Sequence, residues 1–161
     1  MKTIGTMRAL DEQRGAVRVE DVYATGIHDL WEACTKPARL ARWIADVSGE
    51  LEVGGTFYAT FTSSGAGPGH IEACERPHHL LLTMLAGTAE EQQIEAWLTT
   101  EREKTRLVVE HRGLPLAELH IHGAGWQAHL EDLGRSLVNE PSAWRSRWSE
   151  LTPIYKRMPL P

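Results

Sequence analysis

The sequence lacks the features that mark several large classes of protein. No run approaches the ~20 apolar residues that cross a bilayer, and no Lys/Arg cluster interrupts a chain of formal net charge -5. Membrane insertion and nucleic-acid binding are therefore not expected. Residues 1–15 include Asp11, Glu12 and Arg14 but no apolar stretch of signal-peptide length, so we expect a cytoplasmic protein.

Motifs for catalysis and metal binding are equally scarce. The two cysteines, Cys34 and Cys74, form no metal knuckle or redox pair, and neither GxSxG nor HExxH occurs. His78-His79 would point to opposite faces of a strand, and His120 and His122 would diverge on a helix. We therefore expect no metal and no other permanent cofactor, and we assign no catalytic residue.

What is present is an ordinary globular composition. The 161 residues, 42% of them hydrophobic and 24% charged, fit one domain with a substantial core. We expect a single domain over 1–161, with a loose arm at 1–13, a folded core at 16–138 and a helical extension at 140–161.

The periodicity of apolar residues predicts an α+β protein. A strand at Ala16–Tyr23 precedes helices at Ile27–Thr35 and Pro37–Trp43. Six strands follow, separated by loop signals such as the Gly/Ser/Pro-rich stretch Ser63–Gly69. They are predicted to form an antiparallel meander. Their bounds are Val47–Val53, Thr56–Thr62, His70–Glu75, His78–Leu85, Gln92–Thr100 and Thr105–Arg112.

A long helix is predicted from Gly113 to about Val138. One apolar stripe along it contains Trp126, Leu130, Leu133 and Leu137. The helix also contains three costly glycines, which predict a kink or a close approach to the sheet: Gly123, Gly125 and Gly134.

Four motifs between Ala16 and Val138 carry a family resemblance. They are the helix pair Leu30-Trp31 to Leu40-Ala41-Arg42-Trp43, the hairpin Glu52-Val53-Gly54-Gly55-Thr56-Phe57, the turn Glu75-Arg76-Pro77, and Gly125-Trp126 followed by Leu130, Leu133 and Leu137. In this order they resemble the activators of the heat-shock-protein-90 ATPase, within the START-like (SRPBCC, Bet v 1-like) superfamily.

The resemblance implies a helix-grip fold. In that fold a seven-stranded antiparallel sheet curves around the long carboxy-terminal helix, two short helices follow the first strand, and a cavity lies between sheet and helix. Members include lipid and hormone binders, polyketide cyclases and chaperone activators, so the fold alone implies no single function. The sequence shows no counterpart of the separate amino-terminal domain with which eukaryotic activators grip the chaperone. That absence counts against a co-chaperone role, although a co-chaperone-like interaction module stays among the alternatives.

With the helix inside the curve, alternate residues of each strand face inward. The inward rows are expected to be Phe57/Ala59/Phe61, Ile71/Ala73, Ile94/Ala96/Leu98 and Leu107/Val109/His111. Twelve residues are predicted to contact a ligand there: Trp43, Phe57, Phe61, Ile71, Ile94, Leu98, Val109, His111, His122, Trp126, His129 and Leu133. The alternative is that these residues simply fill a core.

Three histidines are the informative polar members of that set. A buried imidazole needs a partner, which is a ligand group, a backbone group or a nearby side chain such as Glu110 or Glu131. If the protein is an enzyme, Glu110, His111, His122 and His129 are the candidates for acid–base work.

Trp97 is expected on the opposite, outer face of the sheet, beside Val108. A large exposed aromatic residue usually marks a contact. We expect the extension with Trp144, Trp148, Leu151 and Tyr155 to cover it, and a second subunit or a protein partner is the alternative.

Three functions remain open. The leading hypothesis is a protein that binds a hydrophobic or amphipathic small molecule. The alternatives are a polyketide cyclase or hydrolase using the same cavity, and a protein-interaction module.

Overall fold

The computed structural model describes residues 2–161, which form one eight-stranded antiparallel sheet and four α-helices. The strands are β1 Gly5–Ala9, β2 Arg14–Tyr23, β3 Ala45–Gly49, β4 Thr56–Phe61, β5 Ala66–Glu75, β6 His79–Met84, β7 Gln92–Glu101 and β8 Lys104–Pro115. The helices are α1 Ile27–Thr35, α2 Pro37–Leu40, α3 Leu119–Leu137 and α4 Trp144–Lys156, with a 3₁₀ turn at Leu116–Glu118.

The sheet curves around α3, as the predicted α+β helix-grip architecture requires. Its strand order is β1-β2-β8-β7-β6-β5-β4-β3, so the meander from β3 to β8 ends beside β2. Alternate residues face α3, and Val17, Val19, Leu107 and Val109 are among those buried against it. The helix side contributes Leu130 and other residues of the predicted stripe.

The predicted loose arm and the count of seven strands are wrong, because the arm forms β1. Gly5 to Ala9 pair with Val19 to Gly15 of β2. Met7 is buried in the core, and the Asp11 side chain accepts hydrogen bonds of 2.7 Å from the backbone N–H groups of Gln13 and Arg14 in the turn. Pairing and burial thus order a segment with a weak strand signal of its own.

Several other boundaries differ from the prediction. α2 ends at Leu40 rather than Trp43, and β3 spans Ala45–Gly49 rather than Val47–Val53. β5 begins at Ala66, inside the expected loop, because Ala66 to His70 pair with β4. A register shift between Ile71 and Ala73 turns Ala73 to the outer face, so only Ile71 of that pair points inward. β8 continues through Gly113, whose φ of 92° suits glycine, and α3 begins only at Leu119.

α3 is one unbroken helix, so no kink forms at Gly123. A Cβ at Gly123 would lie 2.7 Å from Cδ2 of Tyr155 and 3.3 Å from Sδ of Met7. Glycine there permits the close approach of α4 and β1, which is the second of the two predicted explanations.

The carboxy-terminal extension packs on α3, and the prediction that it covers Trp97 is wrong. The Trp144 indole donates a 3.0 Å hydrogen bond to the carbonyl of Gly125, and the Tyr155 hydroxyl donates one of 2.5 Å to Oε1 of Gln127. The sheet covers one side of α3, and the apolar face of α4 buries the other.

On the outer face, charged side chains of neighbouring strands surround Trp97. The Arg18 guanidinium lies 5.9 Å from its ring centroid, and the His79 ring lies at the same distance of 5.9 Å. Glu95 accepts hydrogen bonds from Arg112 at 2.8 Å and pairs with His79 at 2.6 Å. Trp97 is thus half-buried among side chains of its own sheet.

Candidate functional site

A cavity of about 650 Å³ opens between the first half of α3, the start of α4 and the ends of strands β4 to β8. Its lining comprises Ile44, Phe61, Ser63, Ser64, Gly65, Ala66, Gly67, Met84, Leu85, Glu90, Gln92, Ile94, His111, Glu118, Ile121, His122, Gly125, Trp126, His129, Trp144, Arg145 and Trp148.

One stretch of the sheet side of the cavity is made of small residues, beside larger ones such as Phe61, Met84 and Ile94. Residues 63–67 read Ser-Ser-Gly-Ala-Gly. Gly67 pairs with the inward-facing Ala59, and a Cβ there would lie 2.5 Å from Cδ2 of Leu85. Because residues 63–67 supply almost no side-chain volume, the space in front of them stays open.

Another wall of the cavity is a continuous row of aromatic rings from α3, α4 and β8. Successive ring centroids lie 5.2 to 6.0 Å apart, and the row ends in a stacked pair with an interplanar angle of 11°. The row runs His122, His111, Trp126, His129, Trp144 and Trp148.

Hydrogen bonds fix the tautomer of His111. The Trp126 indole, which can only donate, lies 2.9 Å from Nδ1 of His111, so Nδ1 carries no proton. Nε2 then holds the proton and donates to Oε1 of Gln92 at 2.7 Å. Burial, with the nearby His122 and Arg112, lowers the pKa of His111 to about 3, so the ring is neutral near pH 7.

His129 has the opposite tautomer. Its Nδ1 lies 3.2 Å from the carbonyl oxygen of Trp43, which can only accept, so Nδ1 is the protonated nitrogen. Burial lowers the pKa of His129 to about 4, although the bond to Trp43 acts in the other direction. Nε2 therefore holds a lone pair near pH 7 and has no hydrogen-bond partner among residues 2–161, while remaining accessible from the cavity.

His122 and three charged residues complete the polar lining. Burial lowers the pKa of His122. The charged residues, Glu90, Glu118 and Arg145, are exposed and lie at the mouth of the cavity.

The twelve predicted site residues separate into two groups. Six line the cavity: Phe61, Ile94, His111, His122, Trp126 and His129. The other six are packed in the core outside it, as the alternative reading expected: Trp43, Phe57, Ile71, Leu98, Val109 and Leu133.

Sequence reasoning missed part of the lining. The small residues 63–67 were interpreted only as a loop, and Trp144 and Trp148 were assigned to the outer face of the sheet. The signal that could have found the two tryptophans is their i, i+4 spacing, which predicts one helix face but does not name the surface that it covers.

Neither predicted carboxylate is the partner of a cavity histidine. Glu110 neighbours His111 on β8 and so points to the outer face, where Arg8 donates two hydrogen bonds of 2.9 and 3.0 Å to it. These bonds, with that from Arg112, lower the pKa of Glu110 to about 2 despite its burial. Glu131 pairs instead with Arg147, at 2.6 Å.

Other chemistry-bearing groups give no further site. No three His, Cys, Asp or Glu side chains within residues 2–161 converge as a metal site would require. Burial raises the pKa of the Cys34 thiol to about 12, so little thiolate forms near pH 7. In the same part of the chain, no helix has both the length and the apolarity needed to span a bilayer.

A curved antiparallel sheet around a long helix, with a cavity at one end, defines the helix-grip class. The family model "Activator of Hsp90 ATPase homolog 1-like protein" matches residues 24–137. The chain belongs to this family, and the resemblance inferred from the four motifs is confirmed.

Several solved structures share the fold. CalU16 from Micromonospora echinospora has 24% identity and a TM-score of 0.78, with 97% of each chain covered. A Bordetella parapertussis protein, encoded by gene BPP1335, has 23% identity and a TM-score of 0.72, covering 99% of this chain and 94% of its own.

DynU16, described as a protein in the dynemicin biosynthetic locus, is 28% identical with a TM-score of 0.71. The match covers 79% of this chain and 49% of DynU16. No curated protein matches the chain.

Proposed function

We propose that this protein binds a hydrophobic or amphipathic small molecule in the cavity beside α3. The observation that carries the proposal is an open space of about 650 Å³ with an aromatic wall and a few polar groups. Small-molecule sites commonly have volumes of roughly 300–1,000 Å³ and this mixture of apolar surface and sparse polar anchors.

The anchoring of the rings supports a permanent cavity. Trp126 is bonded to His111, Trp144 to the carbonyl of Gly125, and Trp148 to that of Ile121 at 3.2 Å. Moving the ring of Trp126 or Trp144 into the cavity would break a buried hydrogen bond, which opposes collapse, whereas the bond of Trp148 is exposed and contributes less. The location of DynU16 in a biosynthetic locus also favours a small-molecule ligand.

An enzyme of the cyclase or hydrolase type is the second candidate. It is favoured by the unpaired Nε2 of His129, which could hold a reacting hydroxyl or enol. Yet a pKa of about 4 makes His129 a weak base near neutral pH, so we place binding first. A protein partner at the outer face near Trp97 stays a prediction.

The binding proposal can be tested with N-phenyl-1-naphthylamine, a neutral three-ring dye whose emission rises in apolar surroundings. We expect a saturable rise in emission with one dye per chain. Energy transfer from the tryptophans should accompany it, because three of the six line the cavity. A linear, unsaturable response would overturn the proposal.

A blocking variant locates the bound dye. Gly67→Leu places a branched side chain at the cavity wall, displacing the flexible end of Leu85, and should weaken dye binding about tenfold or more. Gly26→Leu is the matched control, since its φ is -73° and a Cβ there meets nothing within 4 Å. Circular dichroism checks that both variants fold. Equal dye affinity in Gly67→Leu and wild type would contradict the assigned location.

A further inference from the structure

We infer that the cavity selects an uncharged ligand whose O–H or N–H group donates a hydrogen bond to Nε2 of His129. This inference rests on the proposed function and specifies the class of ligand. Its basis is that the protein already occupies both ring nitrogens of His111 but only one ring nitrogen of His129.

His111 cannot serve as the anchor. Its Nδ1 accepts from Trp126 and its Nε2 donates to Gln92, so both ring nitrogens are occupied by the protein. A ligand bonding to either would have to displace a partner from buried surroundings, which costs about as much as the new bond contributes.

The protein occupies only one of the two ring nitrogens of His129. Its Nδ1–H is used by the Trp43 carbonyl, and this bond leaves Nε2 as a pure acceptor. The ring is held between Trp126, at a centroid distance of 5.8 Å, and Trp144, at 5.2 Å. Because the acceptor cannot rotate away without breaking these contacts, it is preorganised for a donor.

The cavity offers no counter-charge beside His129. The charged lining residues are Glu90, Glu118 and Arg145, and all three are exposed at the mouth. An anion carried inward would lose hydration and would meet a lone pair at His129. A cation carried inward would have no carboxylate beside it. Burying an unpaired charge is costly in either case, so an uncharged donor fits best.

Neighbouring rings add a preference for flat, unsaturated ligands. Aromatic groups stack or meet edge to face at centroid separations of 4.5–7 Å. A phenol bound with its hydroxyl at His129 would therefore have ring partners on the same wall. An aromatic alcohol or phenol is the simplest molecule that satisfies both the acceptor and the wall.

The test compares probes of nearly equal shape as competitors of N-phenyl-1-naphthylamine at pH 7. 2-Naphthol carries the donor, 2-methoxynaphthalene lacks it, and 2-naphthoate and 2-naphthylmethylammonium carry opposite charges. We expect 2-naphthol to displace the dye at about three- to tenfold lower concentration than 2-methoxynaphthalene, the range of one net hydrogen bond. Both ions should be weaker still.

Variants assign the preference to one atom. His129→Phe keeps a ring on the wall and removes the acceptor, so 2-naphthol and 2-methoxynaphthalene should become equal. If the phenylalanine variant fails to fold, His129→Leu serves the same purpose, because leucine also lacks the acceptor. His120→Phe, a change at a histidine of α3 outside the cavity lining, should leave the preference intact.

The outcomes separate the two proposals. If the dye itself does not bind saturably, the proposed function fails. If the dye binds but 2-naphthol and 2-methoxynaphthalene displace it equally from the wild type, or either ion is the strongest competitor, the inference about the ligand class fails while binding stands. If 2-naphthol still binds more tightly than 2-methoxynaphthalene in both His129 variants, the acceptor is a different group, and the inference is also overturned.

Discussion

The space between the sheet and α3 is filled at one end and open at the other. The filled region contains Leu98, Val109 and Leu133, all at most 4% exposed. The open region is the cavity, and the same elements build it a few residues away: Ile94 lies on the strand of Leu98, and His129 on the helix of Leu133.

The difference lies in residue type rather than in topology. Aliphatic side chains adjust their rotamers and fill the first region to a crystal-like density. In the open region, hydrogen bonds fix the positions of the aromatic rings, and the small residues 63–67 supply little side-chain volume. A helix-grip fold therefore does not imply a cavity. The cavity forms where rigid, hydrogen-bonded walls replace adaptable ones.

Truncation on one strand is the strongest test of this comparison. Leu98→Ala should lower the free energy of unfolding by about 2–5 kcal/mol, since it leaves a new void among closely packed neighbours. Ile94→Ala should cost roughly half as much, because the removed atoms border a space that is already open. Urea unfolding gives both values. Equal losses would mean that the cavity end is packed as tightly as the filled region.

Acid should destabilise the protein through the open region. His111 and His129 have pKa values of about 3 and 4 in the fold, below the ordinary 6.5. Between pH 6.5 and 4 the unfolded chain therefore binds more protons, and each histidine removes about 1.4 kcal/mol of stability per pH unit of acidification. Their full contribution is present above pH 6.5.

Urea unfolding from pH 7.5 to pH 5 measures this loss, and imidazole NMR shifts identify the groups. Neither ring should titrate above pH 5 in the folded protein. Leu98→Ala, which removes no titrating group, should lower the stability curve by the same amount at every pH. A ring that titrates near pH 6.5 would show that water reaches the open region far more freely than its burial implies.

Much of the fold could be predicted from the sequence because alternation and helical spacing report local geometry. The stripe of Leu130 and Leu133 and the strand pairs of the meander needed only that information. β1 was missed because Gly5–Ala9 has little strand propensity, and its order comes from pairing with β2 and from burial of Met7.

Half of the predicted lining was misplaced for a different reason. Alternation tells which face of the sheet a residue occupies, and Leu98 and Ile94 do share the inner face. It does not tell whether the space in front of that face is filled, because this depends on side chains from distant segments. The tryptophans of α4 show the same limit, since their spacing predicted that they share a helix face but not which surface that face contacts.

Close contacts along α3 test how the two regions tolerate added atoms. Gly123→Ala should cost about 1–3 kcal/mol, because the new Cβ would lie 2.7 Å from the ring of Tyr155, which is fully buried. The steric cost of the added methyl group exceeds the stabilisation of about 1 kcal/mol that the higher helix propensity of alanine provides. Thermal unfolding should show a lower midpoint temperature. A higher midpoint would mean that α4 shifts at little cost to accommodate the methyl group.

The smallest expected effects come from the other two glycines of α3. A Cβ at Gly134 would lie 3.6 Å from Tyr23, and one at Gly125 would lie 3.5 Å from Trp144, both ordinary contact distances. Each change to alanine should therefore add about 0.5–1 kcal/mol to the free energy of unfolding by reducing the freedom of the unfolded chain.

Dye binding then distinguishes the two stabilised variants. Gly125 lines the cavity and Gly134 does not. Gly125→Ala should weaken N-phenyl-1-naphthylamine slightly, since one methyl group narrows the aromatic wall, and Gly134→Ala should bind it like the wild type. If both variants are stabilised and both lose the same affinity, the two regions are coupled through α3. The open region would then depend on the packing of the filled one rather than on its own hydrogen-bonded walls.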